Sequence, residues 1–239
     1  MILTKSNVDL IKNYIKWYFE NLNYPDVNYL NASIYDFWVI GEELIPTKTY
    51  DSIDAYAGTF LTLVYFYVYY TKDYKFLRNN LSKLKDIAYL IVLMRDVNDG
   101  LIRALPNKKV KYLINNLEAQ VGLALFALLL KELSDNTWIY YITHAMEIEK
   151  AIRNAFFDEG KIFWAIEENK KYISNSTNLY PDKLAEQFWF IFQKNKIPDS
   201  FSFFPCEQRV ALLVFGNARA QLVKKLKSRA GISEEVDIF

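Results

Sequence analysis

One cysteine and one histidine stand among the 239 residues. With Cys206 alone an intramolecular disulfide is impossible, which is compatible with a reducing compartment. With His144 alone there is no Cys/His set for zinc. Serine–histidine catalysis would have a single base and no nucleophile elbow. No Gly-rich phosphate loop is present. The net charge is +1, so no global field draws the chain to nucleic acid or acidic lipid. The start, MILTKSNVDL, lacks the long apolar core of a signal peptide. These absences set an expectation of a cytoplasmic protein with no cofactor, no metal and no nucleic-acid partner.

Apolar and aromatic residues are abundant instead. From Tyr50 the chain reads YDSIDAYAGTFLTLVYFYVYY, with no charge between Asp54 and Lys72. A surface helix shows one apolar stripe, whereas this one is apolar nearly all round. It falls short of the roughly 20 residues that a bilayer needs, and tyrosines run through its middle. A second run, VGLALFALLL (121–130), has the length of a buried helix. Both therefore read as buried core helices, with no membrane partner.

Helical periodicity dominates the rest. Val8, Ile11, Ile15 and Tyr18 share a face. So do Leu77, Leu81, Leu84, Ala88 and Ile91, and so do Trp138, Ile142, Ala145, Ile148 and Ile152. Amphipathic helices over about 6–22, 73–94 and 135–157 thus alternate with buried ones over 52–71 and 112–132. That alternation predicts an all-α fold of two concentric layers. Asp73 and Asp135 are candidate N-caps. The long connections 23–50, 95–111 and 158–178 precede the buried helices and should gather at one end. The first carries a β segment near Ser33–Ile40, and the third a hairpin over 158–174.

Polar residues open three inner helices: Asp51 and Asp54, then Asn115, Asn116 and Glu118, then Asp182 and Glu186. Asp54, Gly58 and Thr62 share one face, as do Asn115, Glu118 and Gly122. Small residues one turn below a carboxylate would leave room for a ligand. Two carboxyl groups flanking a sugar bond supply the acid and base of glycoside hydrolysis. Asp54 and Glu118 are the candidate catalytic pair, with Asp51 and Asp182 positioning sugar hydroxyls. Tyr50, Tyr56, Tyr112, Trp38 and Trp164 lie near the same mouths, where rings can stack on sugar faces. The bland alternative stays open. Asp51 or Ser52 can cap a helix, acids in a first turn favour the macrodipole, and the rings can pack loops onto helix ends.

Three segments in order, YDSIDAYAGTFL, DGLIRALPNKKVKYLINNLEAQVGL and YPDKLAEQFWFIF, resemble proteins of the six-hairpin glycosidase type. The likeness runs over about residues 10–195. It implies an (α/α) toroid of helical hairpins in one domain spanning 1–239, with short β-hairpins in the loops at one end. It implies a glycoside hydrolase acting on an oligo- or polysaccharide. Relatives tend to carry Asp-Asn where this chain has Asn115-Asn116; in the similar unsaturated glucuronyl hydrolases an Asp near that helix start is the general acid/base, and an amide cannot transfer a proton in that role. Asn115 and Asn116 are therefore substrate-binding candidates only. A complete six-hairpin toroid has twelve helices, and periodicity gives about seven or eight here. The ring is thus incomplete: open, shortened, or completed by another chain such as a second copy.

Two further readings compete. One is a catalytically degenerate member of the same fold that binds carbohydrate or protein. The other is lyase or epimerase chemistry with Tyr56 or Tyr112 as base.

Overall fold

The computed structural model describes residues 7–168, 170–174, 178–194 and 215–225. Cys206 lies outside them. The expected helices are present as α1 (Val8–Glu20), α2 (Ile53–Thr71), α3 (Tyr74–Asn79), α4 (Leu81–Leu93), α5 (Leu113–Glu132), α6 (Trp138–Ala155) and α7 (Leu184–Lys194), and a further helix, α8 (215–225), joins them. The segment 73–94 is two helices, because the chain breaks at Asn80. Asp73 caps α3 by accepting the Phe76 amide at 3.1 Å. Asp135 is no N-cap. That position belongs to Thr137, whose amide Asp135 accepts from within the preceding turn.

The periodic faces point inward. Ile11, Ile15 and Tyr18 of α1, Leu84, Ala88 and Ile91 of α4, and Ala145, Ile148 and Ile152 of α6 are all buried. They share one continuous core with α2 and α5, which are buried on most sides. Of the two apolar runs, only α5 is long and apolar enough to cross a membrane by length and composition. Its apolar window is 83% buried against other parts of the protein. Packing against α2, α4, α6 and α7 accounts for that hydropathy.

The α2–α5 crossing is unusually close. A Cβ on Gly58 would fall 2.5 Å from the Ala119 Cα, and one on Gly122 would fall 2.1 Å from the Gly58 carbonyl oxygen. The two glycines therefore make room for a neighbouring helix, not for a ligand as the spacing suggested. Toward the N-termini, Asn115 meets Ser52 and Asp54. The contacts thus run in the same direction along both helices, and α2 and α5 lie parallel.

Short strands occupy the connections. β1 (Phe37–Ile40) pairs antiparallel with β2 (Glu43–Pro46), while Ser33 forms only an isolated bridge with Asn23. β3 (Val110–Tyr112), β4 (Phe157–Asp158) and β6 (Lys170–Ile173) all pair with β5 (Lys161–Glu167). The loop before β3 is organised by a buried lysine. Lys111 Nζ donates to Asp96 at 2.9 Å and Asp99 at 2.5 Å, and its side chain is 7% exposed. That loop also ties the two inner helices together. The Ile53 amide donates to the Ala104 carbonyl at 3.1 Å. Asn116 both accepts from the Ile102 amide and donates to its carbonyl.

Candidate functional site

The first turns of α2, α5 and α7 line one cavity of about 520 Å³. Asp51, Ser52, Ala55 and Tyr56 come from the first, Ile114, Asn115 and Glu118 from the second, and Leu184, Ala185 and Phe188 from the third. Tyr112, Trp164, Tyr180 and Pro181 complete the wall. The volume is that of a small-ligand site, and mostly apolar walls with a few convergent polar groups are its usual character.

Glu118 is the carboxyl group that faces this space from the inner wall. Burial, and then the charge of Asp54, push it up to about 8. No hydrogen bond offsets those two effects. At neutral pH the group therefore holds its proton. Asp54 stands behind it, 1% exposed and outside the cavity wall. Its Oδ1 accepts from the Ala55 amide at 2.9 Å, from Ser52 Oγ at 3.2 Å and from Asn115 Nδ2 at 3.3 Å. Its Oδ2 is sealed from solvent without a partner among the described residues. Burial outweighs the three hydrogen bonds and pushes Asp54 up to about 7.

This arrangement departs from simple capping. Ser52 occupies the N-cap of α2 but makes no side-chain capping bond. Its hydroxyl turns to Asp54 and meets the Asn115 amide instead. The sequence-based expectation missed Ser52 as a site residue because an N-cap serine is so common. Asp51 is exposed at the rim of the cavity.

An aromatic wall faces the carboxyls. Register places Tyr112 opposite Ala165, and the Tyr112 ring stacks on Trp164 with centroids 6.1 Å apart and planes 4° apart. Tyr180, the first residue of YPDKLAEQFWFIF but not itself an expected site residue, joins them. Tyr56 lines the cavity and donates to Asp36 Oδ1 at 2.7 Å. Burial raises the hydroxyl pKa of both Tyr56 and Tyr112, with Asp36 adding to the rise at Tyr56. Neither is poised as the tyrosinate base that lyase or epimerase chemistry would need.

Four expected site residues lie elsewhere. Asn116 is fully buried, and its Oδ1 and Nδ2 are engaged with the backbone of Ile102 and Tyr112. Tyr50 is buried against Tyr35 and its hydroxyl accepts from Asn28. Trp38 is 65% exposed on the β1–β2 hairpin, away from the cavity. Asp182 is 3% exposed in the π-type turn Leu179–Lys183, and its carbonyl accepts from Ser174 Oγ. Among the described residues no cluster of three or more His, Cys, Asp or Glu side chains suits a metal ion.

No protein-family model and no curated protein matches the chain. Among solved structures it is similar to a rhamnosidase from Klebsiella oxytoca with rhamnose bound, with a TM-score of 0.52 and 12% identity. The match covers 82% of this chain and 41% of that one. The chain thus spans less than half of that glycosidase, and the likeness is one of fold: a mostly helical, glycosidase-like architecture.

Proposed function

We propose that the protein is a glycoside hydrolase of the (α/α)-toroid type, with a carbohydrate ligand in the cavity at the starts of α2, α5 and α7. The observation that carries this reading is Glu118, a carboxyl held protonated near neutral pH in the wall of a cavity that also holds a stacked aromatic pair. A protonated carboxyl serves as general acid toward a glycosidic oxygen. The second carboxylate facing the cavity is Asp51, at the rim, and we assign it the base that activates water. Asp54, the partner first paired with Glu118, becomes a positioning residue. Its negative charge raises the pKa of Glu118, and it touches no ligand. Tyr112 and Trp164 supply the sugar platform.

The test is Glu118→Gln assayed against aryl glycosides and oligosaccharides, with rhamnosides first because the similar structure holds rhamnose. General-acid loss is expected to reduce turnover about 100-fold or more, with the circular dichroism spectrum unchanged. Equal turnover in wild type and variant would defeat the assignment.

One observation favours the degenerate carbohydrate-binding reading. Asn115 is an amide tied to Ser52 and Asp54 at the centre of the site, and it transfers no proton. Calorimetry combined with product analysis separates the two readings, since binding with no released sugar selects the second.

A further inference from the structure

Tyr56 is a shared wall. A second concavity of about 390 Å³, between α1, α2 and the start of β1, shares Tyr56 with the first. It is lined by Tyr14, Trp17, Tyr35, Phe37 and Tyr56, with Asp36 set among them. The Tyr14 and Trp17 rings stack at 5.6 Å, and Trp17 meets Phe37 at 5.3 Å with planes tilted by 57°, so aromatic rings run in contact along the groove. Asp36 accepts the Tyr56 hydroxyl on Oδ1 only. Its Oδ2 has no partner among the described residues.

Aromatic rings beside a carboxylate oxygen match a sugar's two surfaces. The ring C–H groups pack on the aromatic face, and the hydroxyls donate to the acceptor. Resting on the proposed function, we infer that this groove is a second sugar subsite. An extended oligosaccharide would run from the Glu118 cavity across Tyr56 onto Trp17 and Tyr14. The substrate class is then an oligo- or polysaccharide engaged along several units, rather than a single terminal sugar. The shared Tyr56 and the free carboxylate oxygen of Asp36 favour a glycan over an apolar protein segment.

The experiment uses rhamno-, xylo-, malto- and cello-oligosaccharides from two to six units, titrated by calorimetry into wild type, Tyr14→Ala, Trp17→Ala, Asp36→Asn and Glu118→Gln. Tyr14 is 48% exposed, so its variant tests the groove even where Trp17→Ala fails to fold. In at least one series the affinity is expected to rise with length. Each groove variant should lose about two- to tenfold of that gain while binding the disaccharide unchanged. A length gain that survives all three groove variants overturns the inference. So does disaccharide binding with no length gain, although the Glu118 site then stands. Absence of binding in every series defeats both readings. Sedimentation of wild type and Trp17→Ala adds one further outcome: a dimer lost in the variant makes the groove a subunit contact and overturns the subsite.

Discussion

The carbonyl oxygen of Gly58 lies 2.1 Å from where a Cβ on Gly122 would stand, so α2 and α5 meet backbone to backbone. Asp54 and Glu118 sit one turn N-terminal of those two glycines on parallel helices. The close crossing therefore holds two carboxyl groups together in a poorly solvated place.

Gly122→Ala is expected to destabilise the fold. Alanine gains roughly 1 kcal/mol of helix propensity. Overpacking typically costs about 1–3 kcal/mol, and here the obstacle is backbone rather than a movable side chain. A net loss should appear as a lower urea midpoint at unchanged slope, and a higher midpoint would contradict the crossing. Parting of the helices should also lower the pKa of Glu118 toward the ordinary carboxylate range.

Stability should fall as pH rises from about 4 to about 8. Asp54 is pushed up from 3.8 to about 7 and Glu118 from 4.5 to about 8. The folded protein therefore holds protons that the unfolded chain has released, and the slope of unfolding free energy with pH is negative there. The contribution is fully present below the unfolded values and is lost as pH climbs through the folded ones. Urea midpoints measured from pH 4 to 9 test this. Glu118→Gln should flatten the decline and be more stable than wild type near pH 8, and an unchanged slope would rule out the shift.

Asn115→Ala removes a hydrogen bond that favours ionised Asp54. The Asp54 carboxyl should then titrate above its present value of about 7, as read from its carbon chemical shift. A fall would show that Asn115 does not stabilise the carboxylate.

Lys111→Met leaves Asp96 and Asp99 facing each other without their cation. Both aspartates reach solvent, Asp99 with 36% of its side chain, so water screens the loss and the cost is on the order of 1 kcal/mol. Asp96 is held near 2, chiefly by Lys111, and should rise toward 3.8 in the variant. In wild type this contribution is present above pH 3.8 and is lost as pH falls through about 2, so the variant's deficit should shrink in acid. Denaturation at pH 6 and pH 3 measures both effects.

The helices were legible because their faces repeat at 3.6 residues, as Ile11, Ile15 and Tyr18 show. The convergence of three helix starts on one cavity was legible too, from the alternation of long and short connections. β3 was not, because three residues carry no period and its partner β5 is distant in sequence. Gly58 and Gly122 stood out as small, but smallness suits a ligand and a neighbouring helix equally. Side-chain direction was the main thing hidden. Periodicity placed Asp54 and Glu118 at matching heights, yet only packing sets Glu118 in the wall and Asp54 behind it. Asp36 and Tyr180 lie in stretches the sequence did mark, a β segment and a family-like segment, but nothing singled out either side chain as lining a cavity.

Lys111 has a consequence of its own. The turn from Asp96 to Asp99 is closed by an ammonium group that belongs to the chain, and this turn leads into the strand that presents Tyr112. No chelator can strip that cation and no dilution can deplete it. Its vulnerability is chemical rather than compositional, since acylation of one amine would cancel the charge. At 7% exposure that amine reacts only when the turn opens. The labelling rate of Lys111 is thus a clock for the loosening of the strap that joins α2 to α5.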